Sequence, residues 1–326
     1  MLKTTPVKKR LILFVVFGWV LLILSDRVGD LSLYQGSFVA TYALAITSII
    51  LLTGYSGQLS LGHSALMAVG AYAGALTIFN AGLHPVIGLI MSALVAGIFG
   101  LLLGLIAARL SGPYLAGTTL ALAISLPTLA NQFSILGAEE GIVFDVGPAP
   151  ARFGEDFSQY KWFFWISALA TLIMVWFIAN LLNSGYGRTF RALRDNPIAA
   201  QLSGINVGQL KVVAFALSSG VAGLAGGLLV MLISGVSTSA FPLSLSFALL
   251  TGAVVTGLYS LKGVILGGLV LVAIPEIADS LVSRIGESGG FTTTLPGFLV
   301  SALLILAVVF TPNGPGHVIK RKQHKK

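Results

Sequence analysis

Long apolar stretches separated by short polar joins dominate the chain. A membrane-crossing helix needs about 20 mostly apolar residues. Ten stretches meet or approach that need: 11–25, 37–53, 58–79, 85–107, 114–133, 162–182, 212–234, 241–258, 263–283 and 295–310. The first and last are short, and 241–258 and 263–283 can be divided at more than one point. Two polar segments are longer than turns, 134–161 and 183–210. The pattern predicts an all-α polytopic membrane protein of about ten transmembrane helices, forming one transmembrane domain over 1–326. Lys8, Lys9 and Arg10 ahead of the first stretch look like a secretion signal. Ser25, Asp26 and Arg27 follow where a small-x-small cleavage pattern would stand, so the stretch reads as an uncleaved first span.

Composition narrows the class. Apolar residues make up 56% of the 326, and about 68% with the 39 glycines, against roughly 45–50% in a soluble domain. Charged residues are 9%, against roughly 25%. That is too little charge to cover a soluble globule. It is also too apolar a chain for disorder or for a nucleic-acid surface, despite a net charge of +8. The chain contains no cysteine, which excludes a disulfide framework, thiolate metal sites and thiol catalysis.

Charge then predicts orientation, because cytoplasmic loops collect Lys and Arg. With a cytoplasmic N-terminus and ten crossings, the inner segments hold 15 of the 19 basic residues, among them Arg109, Arg188, Arg191, Arg194, Lys211, Lys262 and the tail 320–326. Arg27, Arg152, Lys161 and Arg284 fall outside. Of the 11 acids only Asp195 falls inside, and the segment with Glu139, Glu140, Asp145, Glu155 and Asp156 falls outside. Both termini are expected in the cytoplasm.

The inner segment 183–210 carries the clearest local signal. Asn196 followed by Pro197 is a helix start: the Asn side chain caps, and proline suits the first helical position. Gly204 suits the left-handed position past a helix end. A helix of two turns over 197–203 is predicted. So short a helix is marginal alone in water, so packing must hold it, on its own bundle or on another subunit. The plainer alternative is an ordinary cytoplasmic loop.

The second signal is the segment 54–72. Gly54 and Gly57 weaken helix between the second and third spans. Ser56, Gln58, Ser60 and His63 place polar groups at the bilayer edge, where they need partners. They are candidates for lining a translocation path or an inner gate; the alternative is a tight turn before a well-packed helix. Small-residue pairs at Gly70 and Gly74, Gly100 and Gly104, Gly220, Gly223 and Gly227, and Gly263 and Gly267 predict close helix packing.

Gly54, Tyr55, Ser56 and Gly57 also spell the GxSG of rhomboid-type intramembrane proteases. A serine nucleophile needs an adjacent base, and His63 would lie about 10 Å along a helix from Ser56. His84, His317 and His324 fall in a turn and the tail. No catalytic residue is assigned. Glu276 and Asp279, in the outer half of the ninth span, are either functional or solvated. There is no GxxxxGK[ST] for nucleotide hydrolysis, no metal-ligand cluster and no arginine row of a voltage sensor. No cofactor is expected.

At two of these segments the sequence resembles a known family. Residues 57–72 (GQLSLGHSALMAVGAY) and 191–206 (RALRDNPIAAQLSGIN) resemble the LivM-type permease of bacterial ABC importers for branched-chain amino acids. The likeness continues through 211–215 (KVVAF), 222–227 (AGLAGG), and the ending GFL at 297–299 with FTPNG at 310–314. The chain departs from the family at Pro197, where Glu is usual, at 137–141 in the outer segment, and at 256–263 between spans eight and nine, and from the wider ABC pattern at Ile198, where Glu is usual. The resemblance implies a bacterial inner-membrane subunit working with a homologous second permease, two cytoplasmic ABC ATPase subunits, an extracytoplasmic substrate-binding protein and a small-molecule substrate. It implies that Arg194, Asp195, Asn196, Pro197, Ala199, Ala200 and Gly204 belong to a coupling loop that docks on the ATPases. Two rivals remain: a self-sufficient secondary transporter with a broken-helix site, and a membrane scaffold.

Overall fold

Inside lipid only helices and closed barrels leave no backbone group unsatisfied, and the described apolar stretches are helical. The computed structural model describes residues 6–110, 112–150, 153–154, 157–285, 297–299, 301–302 and 306. Its helices are α1 (Pro6–Ser25), α2 (Asp30–Ile49), α3 (His63–Phe79), α4 (Pro85–Ala107), α5 (Pro113–Ala130), α6 (Gln159–Leu182), α7 (Gly185–Asp195), α8 (Pro197–Leu202), α9 (Val207–Ile233), α10 (Leu243–Thr256) and α11 (Val264–Ile285). Among the described residues, six segments are long and apolar enough to cross a membrane by length and composition: Asp30–Tyr55, Pro85–Ala107, Pro113–Ala130, Gln159–Leu182, Val207–Ile233 and Thr238–Thr256. Arg10–Ser25 and His63–Phe79 are shorter apolar helices. Arg152, Glu155, Asp156 and the basic tail lie outside the described residues, as does most of the span expected at 295–310.

α9 sits at the centre, enclosed by α2, α3 and α4. α6 and α11 pack on the far side of α2, and α1 lies outermost, on α6. Small residues allow the backbones to touch. A Cβ on Gly70 would fall 2.3 Å from Gly223 Cα, one on Gly226 would fall 2.0 Å from the Met67 carbonyl oxygen, and one on Gly100 would fall 2.1 Å from Ser219 Oγ. Gly263 and Gly267 both pack on Thr256. Core hydroxyls are hidden by bonding back to their own helix, as Ser37 does to Leu33 O at 2.9 Å and Ser92 to Gly88 O at 2.9 Å. The outer surface is aliphatic. On α4 it exposes Leu94, Ile98, Leu101, Leu102 and Leu105, a face suited to lipid chains.

The connections gather at two ends. At one end Arg194 Nη1 donates to Gly54 O at 3.0 Å, Tyr55 Oη donates to Tyr259 O at 3.1 Å and Lys211 Nζ donates to Leu110 O at 2.7 Å. At the other, Lys161 pairs with Asp26, and the Tyr34 and Tyr160 rings meet edge-on at 5.5 Å. There too Ile142–Val143 (β1) pairs antiparallel with Gly235–Val236 (β2), a ribbon the hydropathy pattern did not announce. These are the same two sets of segments that the distribution of Lys and Arg separates.

Candidate functional site

α2 does not end cleanly. It widens into a π-helical turn, Ile50–Tyr55. Gly57 then takes φ +70°, the left-handed region that glycine enters at no steric cost. Helix resumes only at His63, so the expected span from 58 is corrected: its first turn is irregular. Apart from Gly57 and Leu59, which are exposed, that irregular segment is largely buried in protein, the condition under which such backbone is tolerated at membrane depth, and its polar groups find partners. Leu61 N donates to Thr119 Oγ1 at 3.0 Å, Ser64 N donates to Ser246 Oγ at 2.9 Å, and Thr53 Oγ1 donates to Gln58 O at 3.2 Å.

All four polar candidates sit in this break, each at 3% exposure or less. Ser56 Oγ donates to Leu52 O at 2.6 Å and accepts from Gln58 Nε2 at 2.9 Å, so it stands beside no base. Gln58 Oε1 is buried without a partner among the described residues. Ser60 Oγ accepts from Gly62 N at 3.4 Å. His63 Nε2 lies 3.4 Å from Ser218 Oγ, and Ser218 itself donates to Ser48 O at 2.9 Å. The Ser218 oxygen is therefore an acceptor, which suits the Nε2–H tautomer of His63. Ser48, Thr119, Ser218 and Ser246 complete this polar cluster and were not singled out from sequence. Hydroxyls recur along these apolar helices, and only the fold shows which of them meet the 61–64 backbone and His63.

The inner segment is two helices. α7 was not expected. It buries Gly187, Phe190 and Leu193, leaves Arg188 exposed, and sets Arg194, one turn after Phe190, against the α2–α3 break. α8 follows the prediction closely. Asn196 Oδ1 accepts from Ala199 N at 3.0 Å, and Pro197 is its first residue. Ile205 N donates to Ala200 O at 3.1 Å, and Gly204 takes φ +81°, closing the end as a left-handed C-cap does. Ala200 is 4% exposed and seats α8 on its own chain. Ile198 and Leu202, four residues apart on the same helix face, are 73% and 85% exposed. Asp195 stays at the surface and binds Arg194, Oδ1 accepting from Nε at 2.8 Å.

The profile of the branched-chain amino acid transport system permease component matches residues 33–308. The chain is similar to the high-affinity branched-chain amino acid transport system permease protein LivM of Escherichia coli K12, 29% identical over 84% of this chain and 67% of that one. It is similar to the probable branched-chain amino acid transport permease protein LivH of Methanocaldococcus jannaschii, 25% identical over 88% of this chain and 92% of that one. It is also similar to the ribose import permease protein RbsC of Escherichia coli K12, 28% identical over 86% and 84%. No solved structure matches the chain.

Proposed function

This chain belongs to the branched-chain amino acid transport system permease family, and from that premise we propose that it is one of two membrane-spanning subunits of an ATP-driven importer. It forms half of a path for branched-chain or related amino acids across the bacterial inner membrane. A homologous permease supplies the other half, two cytoplasmic ATPase subunits supply the energy, and an extracytoplasmic binding protein delivers the substrate. The whole chain is a single permease domain, both termini lie in the cytoplasm, and 183–210 is the coupling loop. Ser56, Gln58, Ser60 and His63 belong to the inner part of the path, at the break between α2 and α3.

The observation that carries this proposal is α8. A helix of six residues is capped at both ends, seated by Ala200, and presents Ile198 and Leu202 almost bare. Two neighbouring large aliphatic side chains at such exposure on a polar segment support a contact with another protein. An ATPase pair that holds α8 differently in its open and closed states supplies the differential interaction that a driven switch requires. The test is co-purification. The unmodified chain should bring down a second permease and ATPase subunits. Ile198→Glu combined with Leu202→Glu should release the ATPases and abolish uptake while leaving the bundle folded, because both side chains point away from it. ATPases retained by that variant would overturn the docking.

A self-sufficient secondary transporter is the second reading, favoured by the α2–α3 discontinuity, which is the kind of break that forms a midplane site in such proteins. It predicts substrate uptake by the purified chain alone.

A further inference from the structure

Arg194 stands at the last turn of α7, two residues before the cap of α8, and its groups are held within this chain. Nη1 donates to Gly54 O at 3.0 Å, Nε and Nη2 hold Asp195 Oδ1 at 2.8 and 2.7 Å, and the guanidinium carbon lies 4.7 Å from the centre of the Tyr259 ring. Its backbone touches the break as well: a Cβ on Gly57 would lie 3.0 Å from Arg194 Cα. The other two segments are locked to each other. Tyr55 Oη donates to Tyr259 O at 3.1 Å, and a Cβ on Gly54 would lie 1.7 Å from Leu258 O. One side chain thus joins the segment leading into α8, the broken end of α2 and the connection between α10 and α11.

We propose that Arg194 is the positioning residue that carries movement of the α7–α8 segment into the α2–α3 break and the α10–α11 connection. The inference rests on α8 being the ATPase-docking helix, and it changes the role given to Arg194: it acts through its own chain and does not touch the ATPase. The guanidinium gives the link direction as well as strength. Its edge is fixed by a backbone carbonyl and a carboxylate, and its face by an aromatic ring, a combination that lysine cannot reproduce. The π-helical turn and the left-handed Gly57 interrupt the helical hydrogen-bond ladder between α2 and α3, so the receiving backbone is joined to neither helix as a rigid continuation.

The test uses the assembled complex with spin labels on Leu59→Cys, in the break, and Leu105→Cys, on α4. Both positions are exposed and the chain has no cysteine of its own; accessible cysteines of the partner subunits are first replaced by serine. Trapping the ATPases with ATP and vanadate should shift the label separation by about 2 Å or more in the unmodified chain. Arg194→Ala should keep the ATPases bound yet leave the separation at its nucleotide-free value, and Arg194→Lys should restore little of the shift. Tyr259→Ala, at a half-exposed ring, should reduce the shift, and combined with Arg194→Ala should add nothing further. A full shift in Arg194→Ala would overturn the proposal, as would loss of the ATPases from that variant. If Arg194→Ala does not fold into the membrane, a full shift in Tyr259→Ala overturns it and a reduced one supports it. Retention of the ATPases by the Ile198→Glu, Leu202→Glu variant is a separate outcome, and it overturns the docking on which the link depends.

Discussion

At Gly57 a methyl group would meet Arg194 Cα at 3.0 Å in a backbone of φ +70°, so strain and contact act together. At Gly226 the φ is helical, but a methyl would sit 2.0 Å from the Met67 carbonyl oxygen, which is backbone and cannot swing aside. Gly57→Ala and Gly226→Ala should each destabilise by about 1–3 kcal/mol. Gly117 has no atom within 4 Å of an added Cβ, so Gly117→Ala should be neutral or slightly stabilising through helix propensity. Thermal unfolding of the three variants in detergent checks the ranking; a neutral Gly226→Ala would show that α3 and α9 do not approach as described. At this scale the sequence was legible where chemistry is local. Asn196, Pro197 and Gly204 spell a cap, a first turn and a stop within nine residues, and all three take those places. His63 was legible only as a polar residue in an apolar run. Its partner Ser218 lies 155 residues away, and nothing local in the sequence relates the two.

Elements were legible in proportion to their hydropathy. Pro85–Ala107 begins and ends where its apolar run does, and proline suits its first turn. The start of α3 was misplaced because Leu59, Leu61 and the glycines around them look the same to hydropathy whether helical or not, while the φ of Gly57 decides the matter. α7 was missed for the opposite reason. Its basic residues hid a periodic buried face of Gly187, Phe190 and Leu193. α8 carries the prediction at this scale. Asn196→Ala removes the bond to Ala199 N and should cost about 1 kcal/mol. Amide exchange over 198–203 should speed up roughly fivefold, with α9 unaffected. Unchanged exchange would mean that packing alone holds α8.

For the whole molecule, two kinds of observation agree without sharing a premise. The distribution of Lys and Arg sorts the joins into two sets, and the contacts bring the same two sets together at opposite ends of the bundle. A cysteine-free chain makes the sides directly measurable. Glu139→Cys should react with a membrane-impermeant maleimide added to intact cells, and Arg188→Cys should react only after the membrane is opened. The reverse pattern would invert the importer. The substrate was the least legible property at any scale: the matched relatives include both amino-acid and ribose permeases, and the buried polar break carries hydroxyls, an amide and an imidazole that suit either.

The central claim is that α8 is where another protein drives this bundle. A photo-reactive phenylalanine at Leu202, the most exposed apolar side chain of the helix at 85%, tests it in living cells. Illumination should link this chain to a subunit that carries a nucleotide-binding P-loop, identified by mass spectrometry of the adduct. Adducts only with lipid, with this chain itself or with a protein that binds no nucleotide would contradict the claim.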